Sequence, residues 1–153
     1  MLKVIIDTNV FISSFFGGIP RGIINLWKDG KIVICLSQNI IEEYLGVLNG
    51  LGLKNEKEIQ DLTKLFAEGY SSIFTAKTPK IEIVENDPGG NKFIECAVAL
   101  DGKIIVSGGK HLKDIKKYVD IDIMSPKEFI DLYRKREDQQ KQNSWDIRFQ
   151  TSN

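Results

Sequence analysis

The chain has 153 residues, 42% of them hydrophobic and 27% charged, and its 21 Lys and Arg balance 21 Asp and Glu to a formal net charge of zero. That length suits one domain that buries about two-thirds of its unfolded surface, so folding requires neither a disulfide nor a structural metal. Neutrality excludes the strongly basic footprint, with pI above about 9, of a general nucleic-acid binder, but not a nucleic acid held by local charge.

In chain order, the N-terminal run Val4-Ile5-Ile6 ahead of Asp7 is too short for a signal-peptide core. No stretch approaches the ~20 apolar residues of a membrane span. A cytoplasmic location is expected. Residues 3–6, 31–36 and 103–107 are short β-branched runs, 121–124 is a fourth, and 81–84 reads as strand or merely extended. Apolar runs of this length bounded by polar residues or Gly suit strands buried on both faces of a parallel sheet. Helical patterns lie between them. Pro20 opens one that runs to Asp29-Gly30, Ser37 caps 38–48, and Asn55 or a neighbour starts 56–69. Further patterns cover 88–100 and 110–118, and Ser125-Pro126 starts a helix to about Arg136.

Strands alternating with helices imply an α/β fold with a mostly parallel sheet between helical layers. Residues 1–136 read as the domain and 137–153 as a polar C-terminal tail, in which Trp145, Ile147 and Phe149 alternate with polar residues at a strand-like period of two. The tail is either a frayed terminus or an aromatic stripe that docks on a sheet edge or a partner. Cys35 and Cys96 sit in apolar sequence without CxxC spacing, which implies two buried thiols.

In such a sheet ligands bind beyond the carboxyl ends of the strands, where strand order switches. The first strand is followed by Asp7-Thr8-Asn9. Asp7 either caps a helix over 8–16 or offers its carboxylate to a metal, since a carboxylate ending a buried strand needs a partner. After the second strand, the apolar arc of Ile40, Ile41, Tyr44, Leu45, Val47 and Leu48 borders Glu43, while Glu42 lies beyond its opposite edge. Glu43 is therefore the better inward carboxylate. Asp87-Pro88-Gly89-Gly90-Asn91 is a plausible helix start, in which two consecutive glycines are unusual because each lowers helix propensity by about 1 kcal/mol relative to Ala. The third strand ends in Ser107-Gly108-Gly109-Lys110-His111, which lacks the Gly at 104 and the Ser or Thr at 111 that a phosphate-binding loop requires. Lys110, Lys113, Lys116 and Lys117 form a local basic cluster with His111. It is either a solvated helix face or a flank for phosphodiester contacts. The phosphatase pattern DxDxT fails at Asn9.

Taken in order, Val4 to Ser13, Leu36 to Glu43, Asp87 to Ala97 and Ile105 to Leu112 resemble the PIN domain, and most closely its toxin-component subgroup. The resemblance implies a single three-layer α/β/α, Rossmann-like domain with a sheet of about five strands. It implies a PIN-type endoribonuclease dependent on Mg²⁺ or Mn²⁺, an RNA substrate, an antitoxin partner, a homodimer and no membrane association. It places catalytic and metal-binding carboxylates at Asp7, Glu43 and Asp87, with Thr8, Asn9, Ser37, Asn91 and Ser107 in support and Lys110, His111 and Lys113 toward RNA. The family's other two acids fall on Gly90 and Gly109, so the acidic site is degenerate; tight turns needing positive φ are the plain structural reading of both glycines. A PIN-fold protein that retains RNA or antitoxin binding without catalysis is the alternative, and a Rossmann-like small-molecule-binding domain is a third.

Overall fold

The computed structural model describes residues 1–53 and 55–151. The strands are β1 (Lys3–Ile6), β2 (Val33–Ser37), β3 (Ser72–Thr75), β4 (Ile104–Val106), β5 (Lys117–Tyr118) and β6 (Ile121–Met124). The helices are α1 (Thr8–Ser13), α2 (Gly18–Lys28), α3 (Gln38–Gly50), α4 (Lys57–Ala67), α5 (Asn91–Leu100), α6 (Lys110–Ile115) and α7 (Pro126–Thr151). The sheet order is β3-β2-β1-β4-β6-β5, parallel except for the last pair.

Val4, Ile5 and Ile6, with Ile34, Cys35 and Leu36 beside them and Ile104, Ile105 and Val106 on the other flank, are all buried. This is the double-sided burial that continuous β-branched runs call for. The sheet is covered by helices in the three-layer α/β/α arrangement, with α5 packed across β1 to β4. Gly102 shows how closely one layer approaches, because a Cβ there would lie 2.5 Å from Ile5 Cδ1 and 3.7 Å from the Ala97 backbone. Cys35 and Cys96 are buried and not disulfide-bonded. Burial pushes their thiols up to about 11 and about 12. No helix among the described residues is long and apolar enough to cross a membrane.

The sheet has six strands rather than five. Ser72-Ile73-Phe74-Thr75 forms an edge strand beside β2, and Lys117-Tyr118 pairs antiparallel with β6. The helix expected over 110–118 ends at Ile115, where Lys116 turns at φ 61°. Residues 81–84 belong to no strand. The strand-like alternation in the tail is corrected as well, since α7 continues unbroken through it. Glu, Gln, Lys and Arg are good helix formers, and Glu137–Lys141 at 3.9 Å and Gln142–Asp146 at 3.0 Å add support at i,i+4. The far half of α7 is exposed, including Trp145 and Phe149. Removing residues 137–153 is therefore expected to move the melting temperature by less than about 4 °C, equivalent to roughly 1 kcal/mol in a chain of this size. A larger fall in a thermal melt would show that the tail carries part of the core.

Candidate active site

Strand order reverses between β1 and β4, which pair with Ile6 opposite Val106. The residues that follow these two strands, Asp7 and Ser107, thus stand side by side at the switch point, where α/β sheets bind ligands. Asp7 is buried and caps α1, with Oδ1 accepting from the Val10 N–H at 2.9 Å. Its Oδ2 accepts from the Ser107 hydroxyl, whose oxygen accepts the Gly109 N–H at 3.0 Å. Burial pushes the Asp7 carboxyl above its ordinary value, with the neighbouring Glu43 charge adding to the rise. The hydrogen bonds from Ser107, Val10 and Gly108 oppose it.

Glu43 arrives from α3. Ser37 caps that helix by accepting the Ile40 N–H at 3.2 Å, and Ile40, Tyr44 and Leu48 form its buried face. Tyr44 fixes the helix against the end of β1: its hydroxyl donates to the Ile6 carbonyl, and its ring stacks on Phe11 at 4.1 Å. One position before this anchor, Glu43 accepts from the Thr8 hydroxyl and from Lys92 Nζ, the latter at 2.6 Å. Glu42 is exposed and accepts from Gln38.

Asp87 precedes a 3₁₀ turn (Pro88–Gly90) that leads into α5. Asn91 Oδ1 accepts from the Ile83 and Val84 N–H groups at 3.0 and 2.8 Å, which holds the preceding loop over the helix start.

These elements enclose a cavity of ≈ 230 Å³. Asp7, Thr8, Asn9, Glu43 and Asp87 line it, and Gly90, Gly109, Lys110 and His111 open onto it. Ser37 and Asn91 act in the frame rather than the lining, Ser107 supports Asp7 from beneath, and Lys113 is exposed outside it. Val47, Gly89, Phe93 and Leu112 also line it, and Lys92 reaches it through Glu43; nothing in the sequence marks Phe93, Leu112 or Lys92 as part of the site. A larger opening of ≈ 590 Å³ between α3 and α4 is lined by no charged side chain.

Neither glycine on the crevice wall needs to be glycine for backbone reasons. Gly90 has φ −73° and Gly109 φ −78°, so the explanation by positive-φ turns is corrected. A Cβ at 90 would make ordinary contacts at 3.4 Å with Leu112 and Val84, and one at 109 would lie 3.4 Å from Ser107 Oγ and 3.9 Å from Asp7 Oδ2. The backbone at both positions accepts an aspartate.

Residues 3–111 match the PIN domain family. The chain belongs to the PIN-domain family. An uncharacterized protein of Methanocaldococcus jannaschii is 36% identical over 150 residues, covering 88% of this chain and 93% of the relative. The family carries a nuclease-like chemistry, generally with divalent metals, and implies RNA binding.

The donors in this PIN domain do not fit a two-metal centre. Among the described residues no three His, Cys, Asp or Glu come together in a group that could hold a metal ion, and Gly90 and Gly109 supply no side-chain oxygen. A single Mg²⁺ or Mn²⁺ is commonly held by one or two carboxylates, waters and substrate phosphates. Asp7 and Glu43, close enough for one charge to act on the other, are the pair suited to that role.

Proposed function

We propose that this PIN domain is a ribonuclease of the metal-dependent endonuclease type with a reduced acidic site, a cytoplasmic protein that serves as the toxin component of a toxin–antitoxin pair. The observation that carries the reading is the placement of Asp7 and Glu43 at the β1–β4 switch point, with Lys110 and His111 on the rim of the same cavity. A bound metal would activate water and neutralise charge developing on the phosphate. The chain's own residues do the rest. Ser107 and the Val10 N–H hold the Asp7 carboxylate in one orientation, and Thr8 does the same for Glu43. Lys110 and Lys113 give the phosphodiester backbone a positively charged approach, which positions RNA without reading sequence.

Retained RNA binding with little or no cleavage is the second reading. It is favoured by the two glycines and by the occupation of Glu43 by Lys92. A protein partner is supported by an apolar opening between α3 and α4, floored by Phe11, Tyr44 and Phe66.

The RNA arm is tested by fluorescence anisotropy with a labelled single strand across a salt series. Lys110→Ala combined with Lys113→Ala is expected to weaken binding and to lower the slope of log K against log salt by about 1.4, since each phosphate contact on a single strand contributes about 0.7. An unchanged slope would remove RNA from this face.

A further inference from the structure

Eight ion pairs are formed among the described residues, and only Lys92–Glu43 has both side chains less than a third exposed, at 21% and 30%. It is also short, with Lys92 Nζ 2.6 Å from Glu43 Oε1. Thr8 donates to the other Glu43 oxygen, so both oxygens of this carboxylate already have protein donors. The lysine stands in the first turn of α5.

The charge inventory around the crevice points the same way. Asp7, Glu43 and Asp87 face Lys110 on the rim and Lys92 within. Three carboxylates against two ammonium groups leave little of the negative field that attracts a dication. Aspartates at 90 and 109 would raise the carboxylates to five. With glycine at both positions, a divalent ion entering at Glu43 has to displace the ammonium of this partly buried pair. Breaking a partly buried pair in this way is far more unfavourable than breaking a surface pair. A compact ammonium is also a good point charge for phosphate.

We propose that Lys92 is a resident cation of the crevice, which holds Glu43 against divalent metal and leaves RNA binding independent of it. The proposal rests on the reading of this crevice as an RNA site, and it deepens the second of the two readings above. Lys92 is a positioning residue, so its test includes binding measurements that a merely structural role would leave unmoved.

The experiment uses the full chain with Lys92→Met, which keeps the length of the stem and removes the charge, and Lys92→Arg, which keeps the charge. Mn²⁺ affinity is read by calorimetry and by the Mn²⁺-induced rise in melting temperature. Anisotropy of a labelled single-stranded RNA is read in EDTA and in Mn²⁺. Lys92→Met is expected to bind Mn²⁺ at least about tenfold tighter than the unaltered chain, a gain of about 1.4 kcal/mol, while Lys92→Arg behaves as the unaltered chain does. The unaltered chain is expected to bind RNA equally well in EDTA and in Mn²⁺, an arm that needs no variant to fold. Equal Mn²⁺ affinity in Lys92→Met and the unaltered chain, or loss of RNA binding in EDTA, overturns the proposal. If Gly90→Asp with Gly109→Asp gains Mn²⁺ binding while Lys92→Met gains none, Lys92 loses this role and the ribonuclease reading stands. No RNA binding in any buffer overturns both.

Discussion

Replacing Gly90 and Gly109 together by aspartate is expected to tighten Mn²⁺ binding by at least about a hundredfold and to raise RNA cleavage with it. Even outer-shell partners of a metal site are each worth about 10–100-fold, and these two positions would add direct oxygen donors. The geometry permits the change. Both backbones have φ near −75°, at −73° and −78°, and the new Cβ atoms meet their neighbours at ordinary contact distance. The carboxylate at 109 would grow from a carbon 3.9 Å from Asp7 Oδ2. Without metal, two like charges would then crowd one buried site, and the double variant should melt below the unaltered chain. With Mn²⁺ at a hundred times its dissociation constant the loss should reverse, because such ligation stabilises a fold by about 2.7 kcal/mol. Calorimetry, thermal melts with and without Mn²⁺, and a labelled-RNA cleavage assay read the three effects. If the unaltered chain cleaves RNA as fast as the double variant, the crevice is not a metal site short of two ligands.

Much of this was legible because it is local. Val4-Ile5-Ile6 and Ile104-Ile105-Val106 announce central strands by their continuous apolar character, and the sheet rule then places Asp7 and Ser107 at the ligand crevice. The helical arc of α3 separates Glu43 from Glu42 correctly, because one face of that helix must meet the sheet. What was illegible depends on contacts between distant segments. Lys92 follows Asn91 with no spacing rule to mark it, and its partner is 49 residues away on another helix. Tyr44 reads as one more apolar residue until its hydroxyl is seen at the Ile6 carbonyl. The edge strand Ser72–Thr75 has a mixed, half-exposed pattern that a loop could share. In the tail, three alternating apolar residues outweighed a long run of good helix formers, and propensity decided the outcome.

The glycines teach a related point. Consecutive Gly reads naturally as a demand for left-handed backbone, and Gly89-Gly90 and Gly108-Gly109 both invite that reading. The positive-φ glycines of the described residues are instead Gly17, Gly18, Gly30, Gly52 and Gly69, all away from the crevice. At 90 and 109 glycine therefore changes side-chain chemistry and nothing the backbone requires. Zero net charge conceals this, since aspartate at both positions would set 23 acids against the 21 Lys and Arg, a formal charge of −2.

Asp7→Asn is expected to stabilise the fold at neutral pH while abolishing any response to Mn²⁺. The carboxyl of Asp7 is held above its ordinary value of 3.8, chiefly by burial and further by the Glu43 charge. A group whose folded value is raised gives stability that is fully present below the unfolded value and is lost as pH rises through the folded one. At pH 7 the charged Asp7 is therefore a liability to the fold. Asparagine removes the charge and keeps the helix cap, since its Oδ1 can accept the Val10 N–H, while its Nδ2 would reverse the bond with Ser107 and donate to Oγ. The melting temperature at pH 7 in EDTA is expected to rise by a few degrees, at about 2–4 °C for each kcal/mol in a chain of this size. The gap between the variant and the unaltered chain should close as pH falls toward 3.8, where Asp7 takes up its proton in both states. Thermal melts from pH 7 to pH 3.5 measure that gap directly. A variant that melts lower than the unaltered chain at pH 7 in EDTA would mean that the Asp7 charge is compensated within the protein itself, and that Ser107, Val10 and Gly108 outweigh its burial.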